Sequence, residues 1–389
     1  MTGTPAADIV STTAAESLFR AVGLLAMLLR KLEGRQRLVL DAPASGATVE
    51  LIKRCLRRAG TTGVEVVDSP AGPLTSFEVL LRKRICAALC DGFMADPDAH
   101  RVLETFDFEP ALPCGRHQLL DVSEGVRLST YAAPAPGKPP VVLVLPCGMP
   151  FQLCQPWFES LSADYSVFTW ESRGLFGEVE DFEHAGLGVD SQLADLFGLL
   201  DHYRVRGAHI MGLCGGAVLA LRAVEKQPGR FGSMSLWYGD YHLDDARLRT
   251  AHQKNFDWLM LEAGQDRSQA RELHQMFLDP SILATVPDEI AHWALYPYAS
   301  PELLYRYAKL NAALNEENVL ASLPSLAAPA LVVAGDCDTT THSGASELVA
   351  AHLPQARFEM ERNGNHQKFF GAPAASRALA LRFMAEQFA

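Results

Sequence analysis

The chain has 389 residues, of which 48% are hydrophobic and 21% charged, and its formal net charge is −12. These values are typical of a folded globular protein and exclude a disordered one, and the length allows a large core with an additional region. The acidic balance argues against nucleic acid as a partner, because a nucleic-acid-binding domain carries a basic face.

No apolar run reaches the about 18 to 20 residues that cross a bilayer, so we predict no association with a membrane. Eight cysteines are scattered along the chain without a paired framework. In a chain of this length, such cysteine usage predicts reduced thiols and a cytoplasmic protein.

The first predicted region, residues 1–115, is mainly helical. Apolar spacing of about 3.6 residues predicts helices over 14–33, 46–59 and 75–93. Two short β-like runs separate these helices, Arg37–Leu40 and Gly63–Val67. The region ends at a break marked by Pro110, Pro113 and Gly115. We predict that it packs on the core, completes a pocket or forms a homodimer interface, for which an apolar stripe on the first helix is suited: Leu18, Val22, Leu25 and Leu29.

Beyond this break, strands and helices alternate. A hairpin comes first, with Leu119–Val122 and Val126–Tyr131 on either side of Glu124-Gly125. The next predicted segments are a strand over 141–145, a helix near 155–163, a strand over 166–170, a helix near 190–203, and strands over 208–211 and 233–237. The β pattern resumes at 330–334 and 357–360, before a final helix over 374–388. This alternation predicts an α/β fold with a mostly parallel, twisted sheet and helices on both faces, built from residues 116–241 and 323–389.

Residues 242–322 interrupt this alternation. They lose the β pattern and are rich in helix formers, tryptophan and tyrosine. A helical insertion between late strands of a parallel sheet is typical of a lid, so we predict a helical lid over 242–322.

Five residues, Gly212-Leu213-Cys214-Gly215-Gly216, connect the strand 208–211 to a predicted helix. A strand, Gly-x-nucleophile-x-Gly and a helix form the nucleophile elbow, a turn so tight that only small flanking residues fit. The side chain presented here is a thiol, which attacks as the thiolate and needs an imidazole to take its proton. The imidazole in turn needs a carboxylate to fix its tautomer. We therefore predict that Cys214 is the nucleophile of covalent acyl chemistry.

The segment from about 117 to 389 resembles the α/β-hydrolase superfamily. Besides the elbow, Gly335-Asp336-Cys337-Asp338 resembles the family's Gly-x-x-Asp turn, which supplies the acid. Asn363-Gly364-Asn365-His366 resembles its Gly-x-His turn, which supplies the base. The order nucleophile, acid, histidine is also that of the family. The resemblance implies a catalytic triad of Cys214, His366 and Asp338.

Two other carboxylates are alternatives to Asp338 as the acid. Asp336 lies two residues away in the same turn, and Asp240 follows the strand 233–237, where some relatives carry the acid. Asp338 is preferred because it occupies the fourth position of the turn and a carboxylate must reach the imidazole.

The resemblance also implies an oxyanion hole made of two backbone N–H groups. One belongs to Gly215, the residue after the nucleophile. Pro146-Cys147-Gly148-Met149-Pro150 resembles the family's His-Gly-x-Pro turn, in which x donates the second N–H, and this match assigns Met149. Because Cys147 stands where the family has histidine, we expect different hydrogen bonds to hold this turn.

A cysteine nucleophile forms a thioester intermediate, which can pass its acyl group to an alcohol, an amine, a carbon nucleophile or water. Polyester synthases, dienelactone hydrolases and some cyclising thioesterases of natural-product assembly lines carry cysteine at the elbow, and the resemblance to the first two is local. We predict an acyl thioesterase or an acyltransferase/cyclase of polyketide or other natural-product biosynthesis. Two alternatives are a hydrolase of an ester or C–C bond in a polyketide-like substrate, and a non-catalytic binding protein on the same fold.

The predicted substrate is a small-molecule acyl group held as a CoA or carrier-protein thioester. An acidic carrier would be repelled by this acidic chain unless a basic patch receives it. A cluster in the first region is a candidate for that patch, with a solvated helix face as the alternative: Lys53, Arg54, Arg57, Arg58, Arg82, Lys83 and Arg84.

We predict neither a cofactor nor a metal. No Gly-x-Gly-x-x-Gly follows the first strand of a βαβ unit, as a dinucleotide site would require. Cys86 and Cys90 lie four residues apart on a predicted helix, but a structural zinc site needs four ligands and no histidine pair lies nearby.

Overall fold

The computed structural model describes residues 6–41, 44–89, 97–109, 112–123 and 125–389. Outside these ranges lie Cys90 of the cysteine pair, Pro110 of the predicted break and Glu124 of the predicted hairpin. The chain divides into two compact units. The smaller unit consists of Met1–Ala111 and Glu272–Pro301, and the larger unit of Leu112–Arg271 and Glu302–Ala389. The predicted lid, residues 242–322, is therefore divided, because its middle part belongs to the smaller unit.

The α-helices of the described residues are, in chain order, α1 (Ala6–Leu29), α2 (Gly46–Arg58), α3 (Ser76–Ala88), α4 (Pro97–Thr105), α5 (Phe151–Ser162), α6 (Val189–His202), α7 (Gly216–Lys226), α8 (Ala251–Ala263), α9 (Arg267–His274), α10 (Ala291–Ala294), α11 (Pro301–Asn315), α12 (Ser343–His352), α13 (His366–Phe369) and α14 (Ala374–Phe388). The strands are β1 (Gln36–Val39), β2 (Val64–Val67), β3 (Arg116–Ser123), β4 (Val126–Ala133), β5 (Pro140–Val144), β6 (Ser166–Trp170), β7 (Glu178–Val179), β8 (Ala208–Leu213), β9 (Phe231–Trp237), β10 (Ala330–Gly335) and β11 (Ala356–Glu361). None of the helices in this described part is long and apolar enough to cross a membrane.

The smaller unit is built around a two-stranded parallel sheet. Strands β1 and β2 pair in parallel, and α2 connects them. The two chain segments of the unit meet at α3, where the Ser76 hydroxyl donates a hydrogen bond to the Phe277 carbonyl. The Lys83 ammonium on the same helix forms an ion pair with Asp288. Residues 272–301 are therefore part of the fold of this unit.

The apolar stripe on α1 is buried inside the smaller unit. Leu18 and Val22 are 0% exposed, Leu25 is 1% exposed and Leu29 is 8% exposed. Helix α1 packs against α2, α3, α4 and α10, which cover these side chains. The prediction that this stripe is an exposed surface suited to a homodimer was wrong, because other elements of the same unit already bury it. The homodimer itself stays a prediction.

Most charges of the predicted basic patch are neutralised within the smaller unit. Both Arg54 and Arg58 form ion pairs with Glu104. The remaining pairs join Arg57 to Glu50, Arg82 to Asp41 and Lys83 to Asp288. Exposed pairs of this kind contribute little stability, about 0 to 1 kcal/mol each. They also reduce the field that an acidic carrier protein would encounter.

The larger unit contains a nine-stranded sheet in the order β11-β10-β9-β8-β5-β6-β4-β3, with β7 paired to β4. The six strands from β11 to β6 are mutually parallel, and β4 runs antiparallel to both of its neighbours, β6 and β3. Helices α5, α6, α7, α12 and α14 pack on the strands. The predicted α/β fold with a mostly parallel sheet is confirmed.

The two middle strands, β5 and β8, determine where the candidate site lies in the sheet. All six residues of β8 are buried, as are four of the five in β5, which suits strands covered on both faces. In an open parallel sheet, the loops after the carboxyl ends of the strands meet at one edge. The turn after β5, the elbow after β8 and the turns after β10 and β11 therefore lie at the same edge of the sheet.

Candidate active site

The elbow holds Cys214 in an unusual backbone conformation. Its φ is +53°, in the left-handed region that costs a residue with a side chain free energy. The Cys214 amide donates to the Trp237 carbonyl at 3.0 Å, and its carbonyl accepts from the Ala217 amide at 3.0 Å. These bonds hold the strained residue between β8 and α7, with its side chain partly exposed.

Two glycines make the tight turn sterically feasible. A Cβ at Gly212 would lie 2.6 Å from the Ala217 Cα, and one at Gly216 would lie 2.5 Å from the Val144 carbonyl oxygen. Both contacts are with backbone, which cannot move aside easily. Close approach of α7 to the strands explains the spacing Gly-x-Cys-x-Gly in the sequence.

The structure brings His366 and Asp338 together. The His366 Nδ1 lies 3.1 Å from the Asp338 Oδ2, and their side chains are 5% and 2% exposed. His366 is the first residue of the short helix α13, which Asn365 caps by accepting hydrogen bonds from the amides of Gln367 and Lys368. The cap fixes the backbone from which the imidazole projects.

Asp338 is held by donors in its own turn. Its Oδ1 accepts from the amides of Thr340 at 2.7 Å and Thr341 at 3.1 Å, and its Oδ2 accepts from the Thr341 hydroxyl at 2.7 Å. Burial alone would raise the pKa of Asp338, but the hydrogen bonds with His366 and Thr341 hold that pKa below its usual value. The carboxylate is therefore ionised and correctly oriented at neutral pH.

The two alternative carboxylates are placed differently. Asp240 accepts hydrogen bonds from Arg249 at 2.8 Å and from Gln253 at 2.7 Å. Asp336 is exposed to solvent. In the described structure, the carboxylate bonded to the His366 imidazole is therefore that of Asp338.

His366 is electrostatically linked to Cys214. Burial lowers the pKa of the imidazole, but the interactions with Cys214 and Asp338 outweigh burial, and the pKa of His366 lies above its usual value. A raised pKa makes the imidazole a stronger base. The arrangement therefore places beside Cys214 a base that can take the proton of its thiol.

The turn between β5 and α5 carries the second predicted oxyanion residue. Gly148 has φ +77°, and a Cβ there would lie 2.3 Å from the Tyr307 ring. The Met149 amide donates to the Pro146 carbonyl at 3.1 Å, so an oxyanion would have to share this N–H. At Gly215, no acceptor is bonded to the amide in the part of the chain that the structure describes. Its N–H is thus available to a ligand.

Helix α11 packs against the turn after β5 and against the elbow after β8. The Tyr307 ring lies against Gly148, and the Leu314 Cδ1 lies 3.8 Å from the position of a Cβ at Gly215. Both side chains are buried, at 3% and 5% exposure. An aromatic and an aliphatic side chain of α11 therefore lie against the turn after β5 and against the elbow.

Sequence reasoning missed two residues that contact the turn after β5. Glu171 and Ser172 follow β6 and accept hydrogen bonds from the amides of Phe151 and Gly148. Their position directly after a buried parallel strand was the signal available in the sequence, since such positions lie at the edge of the sheet that carries the site. Among the described residues, no group of three or more His, Cys, Asp or Glu is arranged to hold a metal ion.

Known proteins share this fold. A curated relative, 3-oxoadipate enol-lactonase 1 of Acinetobacter baylyi, is 24% identical over 237 residues, which are 61% of this chain and 85% of the relative. A hydrolase from Pseudomonas aeruginosa PA01 has a TM-score of 0.55 at 22% identity, covering 69% of this chain and 98% of its own. The 2-hydroxy-6-oxo-6-phenylhexa-2,4-dienoate hydrolase from Rhodococcus sp. strain RHA1 has a TM-score of 0.53 at 18% identity, covering 70% and 98%. No family model matches the chain.

The order of strands in the sheet, the elbow after β8 and these similar proteins all indicate the same fold. The chain has the α/β-hydrolase fold, and its sequence is similar to that of an enol-lactonase. The relatives with which it shares the fold are named as enzymes.

Proposed function

We propose that this protein is an acyl-transfer enzyme that works through a covalent acyl-cysteine on Cys214, with His366 as acid and base and Asp338 as the orienting carboxylate. The finer reading is an acyl thioesterase or an acyltransferase/cyclase acting on a CoA or carrier-protein thioester, in polyketide or other natural-product biosynthesis. The observation that carries the proposal is the buried 3.1 Å contact between His366 and Asp338, in a site where His366 also interacts with Cys214.

In the first half-reaction, the Cys214 thiolate attacks the carbonyl carbon of the thioester. The amides of Gly215 and Met149 are proposed to stabilise the negative oxygen of the tetrahedral intermediate. Collapse of the intermediate breaks the bond to the leaving thiolate, which takes the proton from the His366 imidazolium. The products of this step are the free thiol and the acyl-cysteine.

In the second half-reaction, the neutral His366 imidazole takes a proton from water or from an acceptor alcohol or amine. The acceptor attacks the acyl-cysteine, and the second tetrahedral intermediate releases the Cys214 thiolate beside a reformed imidazolium. Because the thioester intermediate is about as reactive as its donor, transfer to a non-water acceptor competes with hydrolysis. Asp338 stays ionised throughout and holds the imidazole in one tautomer.

A second candidate is hydrolysis of a lactone, an ester or a C–C bond. The relatives favour it, because one is named an enol-lactonase and another a hydrolase of a dienoate. The same thiolate and imidazole would then act on an oxygen ester or a ketone carbonyl, with water as the acceptor.

Single-turnover trapping tests the proposal. The protein would be mixed with acyl thioesters of N-acetylcysteamine and of CoA, quenched in acid and analysed by mass spectrometry. We expect an added acyl mass on Cys214, and none in Cys214→Ala. The matched control is Cys337→Ala, because this exposed thiol should form no adduct under the same conditions.

Two results would contradict the proposal. Turnover that survives in Cys214→Ala would leave the thiol without a covalent role. An adduct formed only from enol-lactones or oxygen esters, and never from thioesters, would favour the second candidate.

A further inference from the structure

The turn that carries Met149 is held by residues from the end of the neighbouring strand. Ser172 Oγ accepts a hydrogen bond from the Gly148 amide at 2.8 Å, and Glu171 Oε1 accepts one from the Phe151 amide at 2.8 Å. Gly148 directly precedes Met149, and Phe151 begins α5 after Pro150. These two bonds therefore fix the chain on both sides of the proposed oxyanion donor, in place of the histidine that the family carries at position 147.

The Glu171 carboxylate is an acceptor on both of its oxygens. It is 3% exposed, and the Ser129 hydroxyl donates to its Oε2 at 2.6 Å. The His117 Nε2 lies 2.9 Å from the same hydroxyl oxygen. Because Ser129 gives its only proton to Glu171, its oxygen must accept from His117, which places the ring proton on Nε2. The hydrogen bonds thus run from His117 to Ser129 and from Ser129 to Glu171, so the carboxylate only accepts, as an ionised carboxylate does.

Aromatic packing ties the same residues to the start of α5. The Tyr131 ring stacks on the Phe151 ring with centroids 3.7 Å apart, and its hydroxyl lies 3.5 Å from the Glu171 Oε2. The His117 ring of β3 also packs against the Tyr131 ring, with centroids 4.7 Å apart. The carboxylate thus joins β3, β4 and β6 to the first residue of α5.

No guanidinium or ammonium group is bonded to this carboxylate within the described residues. Arg173, two residues along, is instead bonded to Asp195, at 2.8 Å from Nε to Oδ2. The titratable groups that face Glu171 are His117 through Ser129, and Tyr131. Burial raises the pKa of Glu171 to about 7, and the bonds from Phe151 and Ser129 only partly oppose that rise. The carboxylate therefore changes charge near neutral pH.

We propose that Glu171 is a positioning residue for acyl transfer, whose ionised carboxylate holds the first turn of α5 and with it the Met149 amide at the oxyanion position. The inference rests on the proposed function, since it needs an oxyanion at this turn. A misplacement of about 1 Å at such a group can cost a factor of about 100 in rate. Glu171 contacts neither the sulfur nor the imidazole, so it acts through the turn alone.

Two substitutions of Glu171 distinguish the effect of its negative charge from the effect of its hydrogen-bond acceptor. Glu171→Met removes the acceptor at similar volume, and Glu171→Gln keeps an acceptor oxygen for the Phe151 amide without a charge. The readouts are the single-turnover rate of Cys214 acylation by hexanoyl-N-acetylcysteamine and the rate of Cys214 alkylation by iodoacetamide. The first needs the oxyanion hole, whereas the second does not.

We expect Glu171→Met to slow acylation by about 100-fold while alkylation stays within about twofold. Glu171→Gln should keep acylation within about tenfold of the natural chain. We also expect acylation by the natural chain to decline as pH falls below about 7, and Glu171→Gln to lack this decline. Ser172→Ala, which removes only the bond to the Gly148 amide, should slow acylation by about tenfold.

A folded Glu171→Met protein that acylates at the natural rate would overturn the inference. Equal losses of acylation and alkylation would also overturn it, because they indicate a general structural role. If Glu171→Met does not fold, the acylation rate of Ser172→Ala and the pH profile of Glu171→Gln test the inference instead. An unchanged rate in Ser172→Ala together with an unchanged pH profile in Glu171→Gln would overturn it. Absence of any acyl adduct in the natural chain is a different result, since it refutes the proposed function itself.

Discussion

At Cys214 the thiol projects from a backbone with φ +53°, beside an imidazole whose carboxylate partner is held by Thr340 and Thr341. The surroundings of Cys214 differ from those of the other thiols in the described structure. Cys337, for example, is an exposed thiol with no imidazole bonded to it in the described structure. We therefore expect the reactivity of Cys214 to depend on the elbow and on the His366–Asp338 pair, because a thiol without a neighbouring base is mostly protonated at neutral pH.

Asp338→Asn tests the orienting carboxylate. The amide cannot stabilise the imidazolium and can favour the wrong tautomer, so we expect the acylation rate to fall by about 100-fold to 10,000-fold with little change in substrate affinity. Asp336→Asn is the matched control in the same turn, and because this residue is exposed, its rate should stay within about twofold. Equal effects of the two substitutions would argue that Asp338 does not act through His366.

Glu171→Gln also makes a prediction about stability. The pKa of Glu171 is raised from 4.5 to about 7, so the folded state binds a proton more tightly than the unfolded state. Its contribution to stability is fully present below pH 4.5 and is lost as pH rises through about 7. Between about pH 5.5 and pH 8, the free energy of unfolding of the natural chain should fall by roughly 2 kcal/mol relative to Glu171→Gln.

Urea unfolding of both proteins across this pH range measures that difference. His366 and Asp338 titrate in both proteins, so their contributions cancel in the comparison. Two stability curves that run parallel with pH would show that Glu171 does not titrate in this range.

Among the elements, the connection from β8 to α7 has the strictest steric demands. A Cβ at Gly216 would meet the carbonyl oxygens of Val144 and Leu145 at 2.5 and 2.6 Å, whereas one at Gly215 would meet only the Leu314 Cδ1, at 3.8 Å. We expect Gly216→Ala to destabilise the fold by about 1 to 3 kcal/mol and to slow acylation, because α7 must move away from β5. Gly215→Ala, one residue earlier in the same turn, should cost less than about 0.5 kcal/mol.

Thermal unfolding of the two glycine variants gives the comparison directly. Both substitutions add one methyl group to the same loop, so a general effect of alanine would lower both transition temperatures alike. That outcome would contradict the steric explanation of the Gly-x-Cys-x-Gly spacing.

The sequence predicted the elements whose pattern is local. Strand 166–170 and helix 374–388 coincide with β6 and α14, because β-branched runs and helical periodicity are visible within a few residues. The contact between His366 and Asp338 was expected from the resemblance of their turns to those of the α/β-hydrolase superfamily. For Glu171, the position after β6 indicated the edge of the sheet but not its partners, because Phe151 and Ser129 lie 20 and 42 residues away in sequence.

The packing of a whole segment, residues 272–301, also depends on partners that are distant in sequence. Their helix-forming composition predicted part of a lid, but which core a helix joins depends on distant partners. The contact between Ser76 and Phe277 joins residues 201 positions apart. Helical periodicity does not indicate which distant residues a helix contacts. The sequence therefore predicted residues 272–301 as part of one lid with the residues before and after them.

At the scale of the whole molecule, the smaller unit is discontinuous in sequence. A chain that starts near residue 112 would keep residues 272–301 but lose their partners in 1–111, among them Ser76 and Lys83. We expect this truncation to be insoluble or to aggregate, because apolar surface that was covered is left open. Gel filtration after expression measures the outcome.

The matched control for the truncation also replaces residues 272–301 by a short Gly/Ser linker. This second protein removes both segments of the smaller unit, so we expect it to be the more soluble of the two. If the simple truncation is instead fully soluble and monomeric, the segment 272–301 does not depend on the N-terminal residues.

The discontinuity also affects the order of events on the ribosome. Helices α1 to α4 are synthesised first, yet the segment that completes their unit is translated only after β8 and the elbow of the larger unit. Contacts across some 200 residues form slowly, because a long loop must close before they contribute. During that interval the apolar side chains that residues 272–301 cover stay exposed, and such surface makes an incomplete chain prone to aggregate.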